Sequence, residues 1–172
     1  MRPPLLLTGG PAAGKTSTSR ALAAALTIAA VIDVDDIRHL VVSGHRAPWE
    51  GQAGARQQRI GVENACELAQ RFLAADIPVV LADVLNPWTA DLYRDRLPGL
   101  VVVRLELDLC RAVTRALQRP QHLTDDQFVD LHLRQRAGDV RVDHVLDVGQ
   151  LSFAEQVVSV QAIWDDASAA IQ

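Results

Sequence analysis

Apolar and polar positions alternate between two periods along this chain. Short apolar runs of strand length, Pro4 to Thr8, Ala30 to Val34, Pro78 to Asp83, Leu100 to Leu107 and Val142 to Val148, are separated by longer helical patterns. Alternation of this kind predicts a parallel sheet covered by helices. The unbroken run Val79-Val80-Leu81-Ala82 is what a strand buried on both faces requires. Helices are predicted over about Gly14 to Leu26, Ala55 to Ala75, Trp88 to Arg96, Leu109 to Arg119, Thr124 to Ala137 and from Ser152 to the C-terminus. Thr124 with Gln127 and Ser152 with Glu155 are capping-box pairs. In the long second helix, Ile60, Ala65, Leu68, Phe72 and Leu73 are expected to face inward, and Arg59, Glu63, Glu67 and Arg71 to form a solvated face. From Ile37 to Gly54 the pattern is weak and reads as loop. No repeat or linker interrupts the 172 residues, so residues 1–172 are expected to form one domain.

Composition narrows the class. Seventeen basic against 21 acidic residues give a formal charge of −4, which offers no general attraction for nucleic acid or anionic lipid. No stretch approaches the roughly 20 apolar residues that span a bilayer, and the apolar start is too short for a signal peptide, so a cytoplasmic location is expected. Cys66 and Cys110 form no Cys-x-x-Cys pair and read as small buried hydrophobes. The five histidines show no metal spacing. Lys15 is the sole lysine, the other basic residues all being arginine.

That lysine lies in Gly9-Gly10-Pro11-Ala12-Ala13-Gly14-Lys15-Thr16, which fits G-x-x-x-x-G-K-[ST] at every specified position. The motif leaves a predicted strand and opens a predicted helix, so the amides through Ser17 can point into a phosphate. Lys15 then reaches the terminal phosphates and the Thr16 hydroxyl ligates Mg²⁺. This predicts a nucleoside triphosphate site. Ligands of such sheets bind beyond the carboxyl ends of the strands, where Asp33, Asp35 and Asp83 stand. Asp83 is placed to hold Mg²⁺ through water, Asp35 to orient an acceptor hydroxyl or take its proton, and Asp36 to cap the following helix. An Asn-Lys-x-Asp guanine signature is impossible with Lys15 alone. Arg111, Arg115 and Arg119 form a stripe before Pro120-Gln121-His122, which reads as a lid over about residues 115–125.

Together, the P-loop, Asp33-Val34-Asp35-Asp36-Ile37-Arg38, the strand ending at Asp83, and Arg115-Ala-Leu-Gln-Arg119 resemble the small P-loop kinases related to shikimate, gluconate and adenylylsulfate kinases. Val34-Asp35, Asp83-Val84, the paired arginines and Val142-Asp143 draw the likeness closest to chloramphenicol phosphotransferase-like proteins. The resemblance implies a three-layer αβα sandwich around a five-stranded parallel sheet of order 2-3-1-4-5. It also implies ATP with Mg²⁺ and phosphoryl transfer to a hydroxyl of a small molecule, an antibiotic or a nucleoside among the candidates. Asp35 would be the catalytic base, with Lys15 and Arg119 on the phosphates, Asp33 beside the metal, and Arg115 against the adenine. Loops over about residues 37–59 and after the third strand would border the acceptor, with Trp49, Trp88 and Arg38 as candidate contacts. A nucleotide or polynucleotide kinase, or a non-catalytic ATP-dependent ligand-binding protein, would fit the same motifs.

Overall fold

The computed structural model describes residues 2–117, 124–136 and 140–170, without the side chains of 134–136. Five strands, β1 (Leu5–Gly9), β2 (Ala30–Asp33), β3 (Val79–Ala82), β4 (Val101–Glu106) and β5 (His144–Asp147), form one parallel sheet in the order β2-β3-β1-β4-β5. Around it lie α1 (Lys15–Ala24), α2 (Val34–Arg38), α3 (Gly51–Ala74), α4 (Pro87–Arg96), α5 (Leu109–Ala116), α6 (Asp125–Arg136) and α7 (Phe153–Ala169).

The period of two in the central strands divides the core. Leu5 and Leu7 of β1, with Val103 and Leu105 of β4, pack against Leu22 of α1, Ala112 of α5 and Val160 and Trp164 of α7. Leu6, with Ile32 and Leu81, points the other way onto Val62, Ala65 and Ala69 of α3 and Tyr93 of α4. β1 and β3 are buried along their whole length, as continuous apolar runs demand. In register, Leu7 pairs with Ala82 and with Val103, so the strand ends that carry the site are aligned.

Two expectations fail for packing reasons. α3 begins at Gly51, not near Ala55, and its buried stripe is Gly54, Gln58, Gly61, Val62, Ala65, Cys66 and Ala69. Ile60 and Leu68 face solvent instead. Small residues win the inner face because the helix lies very close to its neighbours: a Cβ at Gly54 would sit 2.0 Å from the Ala47 carbonyl oxygen. The outer face does carry the ion pairs Arg59–Glu63 and Arg96–Glu67.

The second concerns the cysteines, because Cys66 is buried but Cys110 is exposed. Burial pushes the Cys66 thiol up to about 12, so it is neither accessible nor ionised near neutrality. A chromogenic disulfide reagent at pH 8 is expected to titrate one thiol quickly and the second only after unfolding. Two fast thiols in the native protein would contradict this packing.

Among the described residues, no helix is long and apolar enough to cross a membrane. The predicted capping boxes are present: Thr124 and Gln127 exchange hydrogen bonds of 3.0 and 3.3 Å, and Ser152 and Glu155 of 2.8 and 3.3 Å.

Candidate active site

The turn between β1 and α1 is built by backbone that only small residues tolerate. Gly9 has φ 136° and Gly14 φ 93°, and Ala12 between them has φ 61°. Gly14 is the N-cap of α1, no side chain caps that helix end, and its first turn contains no acid. α3 is likewise uncapped, whereas α2, α4, α5 and α7 are capped by Asp33, Asn86, Asp108 and Ser152. The α1 terminus therefore presents its first amides and the positive end of its dipole toward an anion. Lys15 Nζ donates to the carbonyls of Gly9 at 2.9 Å and Gly10 at 3.1 Å, folding the ammonium back across the loop.

Two residues that sequence reasoning misses lie against this loop. Gln156 of α7 is buried and donates to the Ala13 carbonyl at 3.1 Å and to Thr18 Oγ1 at 2.8 Å. A Cβ at Gly14 would lie 2.8 Å from its Nε2. His132 of α6 is also buried, and a Cβ at Gly10 would lie 3.0 Å from its Nδ1. The sequence signal for Gln156 is its place one helical step after the Ser152–Glu155 box, where the inward stripe of α7 begins. Beside Gly9 and Gly10 opens a cavity of about 110 Å³ walled by Arg104, Glu106, Asp147 and His132.

The strand-end acids divide into different environments. Asp33 caps α2, accepting from the Asp35 amide at 3.2 Å, in place of the expected cap Asp36. Its other oxygen accepts from Thr16 Oγ1 at 2.7 Å. A hydroxyl and a carboxylate in contact at the phosphate end of α1 suit Mg²⁺, which takes one or two protein oxygens and completes its shell with phosphates and water. Thr16 and Asp33 would hold the ion there. Among the described residues, no group of three or more His, Cys, Asp or Glu could hold a metal by itself.

Asp35 remains open, its side chain 61% exposed. Desolvation raises its carboxyl, but the Arg38 guanidinium, through charge and a hydrogen bond, and the charges of Lys15 and His39 outweigh this and hold it below the usual carboxylate value.

Asp83 and Arg38 depart from their expected roles. The Asp83 side chain is 0% exposed and its oxygens are occupied by Arg38 Nη1 and Nη2, both at 3.1 Å, the Val84 amide at 2.8 Å and the Tyr93 hydroxyl at 2.8 Å. Burial pushes Asp83 up from the ordinary range, and these four donors are what favour its ionised form. Enclosed in this way, it is not placed to hold Mg²⁺. Arg38 is 8% exposed and is committed to Asp83 and Asp35, so it does not present a free cation to an anionic acceptor.

Arg115 donates to the Val148 carbonyl at 3.3 Å, tying α5 to the segment after β5. Arg119 and residues 118–123 of the expected lid lie outside the described residues. Trp49 and Trp88 are both half-exposed, and Trp88 borders a shallow hollow of about 220 Å³ with Arg59, Asp91, Leu92 and Asp95. That hollow contains none of the P-loop or strand-end residues.

No family model and no curated protein matches the sequence. Solved structures do match. A sugar kinase from Janibacter sp. HTCC2649 is 16% identical, with a TM-score of 0.73 over 99% of this chain and 98% of that one. A gluconokinase from Sinorhizobium meliloti 1021 is 21% identical, with a TM-score of 0.70 over 99% and 95%. A shikimate kinase from Bacteroides thetaiotaomicron is 22% identical, with a TM-score of 0.67 over 96% and 98%. The sheet order, the P-loop at the end of β1 and these likenesses along nearly the whole chain show that the protein has the three-layer αβα fold of the small P-loop kinases.

Proposed function

We propose that this chain is an ATP-dependent phosphotransferase that moves a phosphoryl group to a hydroxyl of a small molecule. The observation that carries the reading is the contact of Thr16 with Asp33, followed two residues later by the open carboxylate of Asp35. The similarity to sugar, gluconate and shikimate kinases supports the same class. P-loop amides and Lys15 would hold the phosphates, and Thr16 with Asp33 would hold Mg²⁺, which supplies charge neutralisation on the phosphate oxygens when bound. Arg115 would stand on the adenine side. Asp35 would accept a hydrogen bond from the acceptor hydroxyl and aim its oxygen at phosphorus. A new P–O bond forms to that oxygen as the bridging P–O bond to ADP breaks, and the hydroxyl proton passes to Asp35 and then to water. Because its pKa is depressed, Asp35 orients the hydroxyl first and takes the proton late, which suits a loose transition state.

The test is a screen of polyols, nucleosides and hydroxylated antibiotics, including chloramphenicol, for acceptor-dependent ADP release, confirmed by a mass gain of one phosphoryl group. Tight ATP binding with no phosphorylated product would favour a non-catalytic binding protein and sink the proposal. Asp35→Asn is expected to keep ATP binding and lower turnover by roughly 10² to 10⁴, the usual worth of an acid or base. Wild-type turnover in that variant would remove Asp35 from the mechanism.

A further inference from the structure

Asp35 is exposed, but it is not without a partner. Its Oδ1 is bound from behind by Arg38 Nη2, one turn further along α2. The same guanidinium is fixed by Asp83 at the end of β3, and Asp83 in turn by the only tyrosine of the chain, Tyr93 of α4. α3 contributes the space for the arginine stem: a Cβ at Gly61 would lie 2.8 Å from Arg38 Cγ. Four elements thus converge to place one cation against one exposed carboxylate.

Stability does not account for this arrangement. Withdrawing an arginine and a carboxylate from water is costly, and replacing such groups by packed apolar residues is often neutral or stabilising. An exposed Asp35 at i,i+3 to its partner would contribute little by itself. What the chain Tyr93–Asp83–Arg38–Asp35 does provide is direction. It holds Oδ1 of Asp35 on a buried guanidinium, while the side chain stays 61% exposed to an arriving acceptor.

We propose that Arg38 is a positioning residue, which through Asp83 and Tyr93 fixes the Asp35 carboxylate for the acceptor hydroxyl and does not itself touch the acceptor. This rests on the phosphotransferase reading for its consequence, but not for its geometry. Misplacing a reacting group by about 1 Å can cost on the order of 10² in rate. Arg38→Gln is therefore expected to lower kcat for the acceptor roughly 10²-fold. KM for ATP and affinity for a non-hydrolysable ATP analogue should stay as in the wild type. ATP hydrolysis to water, which needs no oriented acceptor, should fall much less, so the ratio of transfer to hydrolysis drops. Arg38→Lys should restore part of the ratio, and Tyr93→Phe, which removes only the last link, should lower it less than Arg38→Gln.

A wild-type ratio in Arg38→Gln would overturn the proposal, as would a loss of analogue binding in proportion to kcat, the mark of a merely structural role. Should Arg38→Gln fail to fold, Arg38→Lys and Tyr93→Phe decide by the same ratio. An arm independent of activity uses ¹⁵N-guanidinium spectra. One arginine should show resolved, slowly exchanging Nη protons in the wild type, and Asp35→Asn and Asp83→Asn should each perturb that signal. If neither does, the clamp is overturned. If the wild type phosphorylates no hydroxyl compound while the signal responds to both variants, the phosphotransferase reading fails and the clamp stands.

Discussion

Lys15→Ala is expected to lower phosphoryl transfer by on the order of 10³ to 10⁵, the scale on which a single cation stabilises charge on a transferring phosphoryl group. The loss should appear in kcat and in nucleotide affinity together, because in the proposed reaction the ammonium would meet the phosphates in both ground and transition states. Lys15 Nζ already spans the Gly9 and Gly10 carbonyls at 2.9 and 3.1 Å, so it lies within the arc that the P-loop amides line. Lys15→Arg is not expected to rescue, since a planar guanidinium cannot take the place of a compact ammonium in so narrow a loop. The rarity of lysine here gives a second measurement. An amine reagent should label Lys15 and the N-terminus alone, and Mg-ATP should protect Lys15. Unprotected labelling would remove the lysine from the phosphates.

The parts of this site that sequence reveals are the local ones. A P-loop is eight consecutive residues between a strand and a helix, and the capping boxes at Thr124 and Ser152 span four. The pairing of Asp33 with Thr16 is also within reach, because the ends of parallel strands converge on one edge. The roles of Asp83 and Arg38 are hidden because their partners are distant: they stand 45 residues apart and meet only when α2 packs below the end of β3. Gln156 lies 143 residues from the Ala13 carbonyl that it holds, and the period of α7 marks its inward place but not this partner. In α3 the apolar period favours the large residues Ile60 and Leu68, whereas close packing favours Gly54, Gly61, Ala65 and Ala69. Periodicity reports hydrophobicity, but the distance between layers decides which side chains fit.

That distinction gives the largest expected effect on stability, from Gly9→Ala. Gly9 pairs with Leu105 in the β1–β4 register and has φ 136°, and a Cβ there would lie 2.2 Å from the Leu105 carbonyl oxygen. Backbone must move, since the obstructing atom belongs to a central strand and not to a flexible side chain. Two costs combine: about 1–3 kcal/mol for a residue held in sparsely populated φ/ψ space, and about 1–3 kcal/mol or more for overpacking a filled interior. A total of roughly 2–6 kcal/mol is a large share of the 5–15 kcal/mol that stabilises an ordinary domain. Gly99→Ala supplies the control. Gly99 also has positive φ, 75°, but nothing lies within 4 Å of the position its new methyl would take, so only the conformational cost applies, about 1–2 kcal/mol. Urea unfolding of the two variants separates the terms. Near-equal midpoints would mean that strand β4 yields to the methyl, and that the close approach of β1 to β4 is not what requires glycine at the mouth of the P-loop.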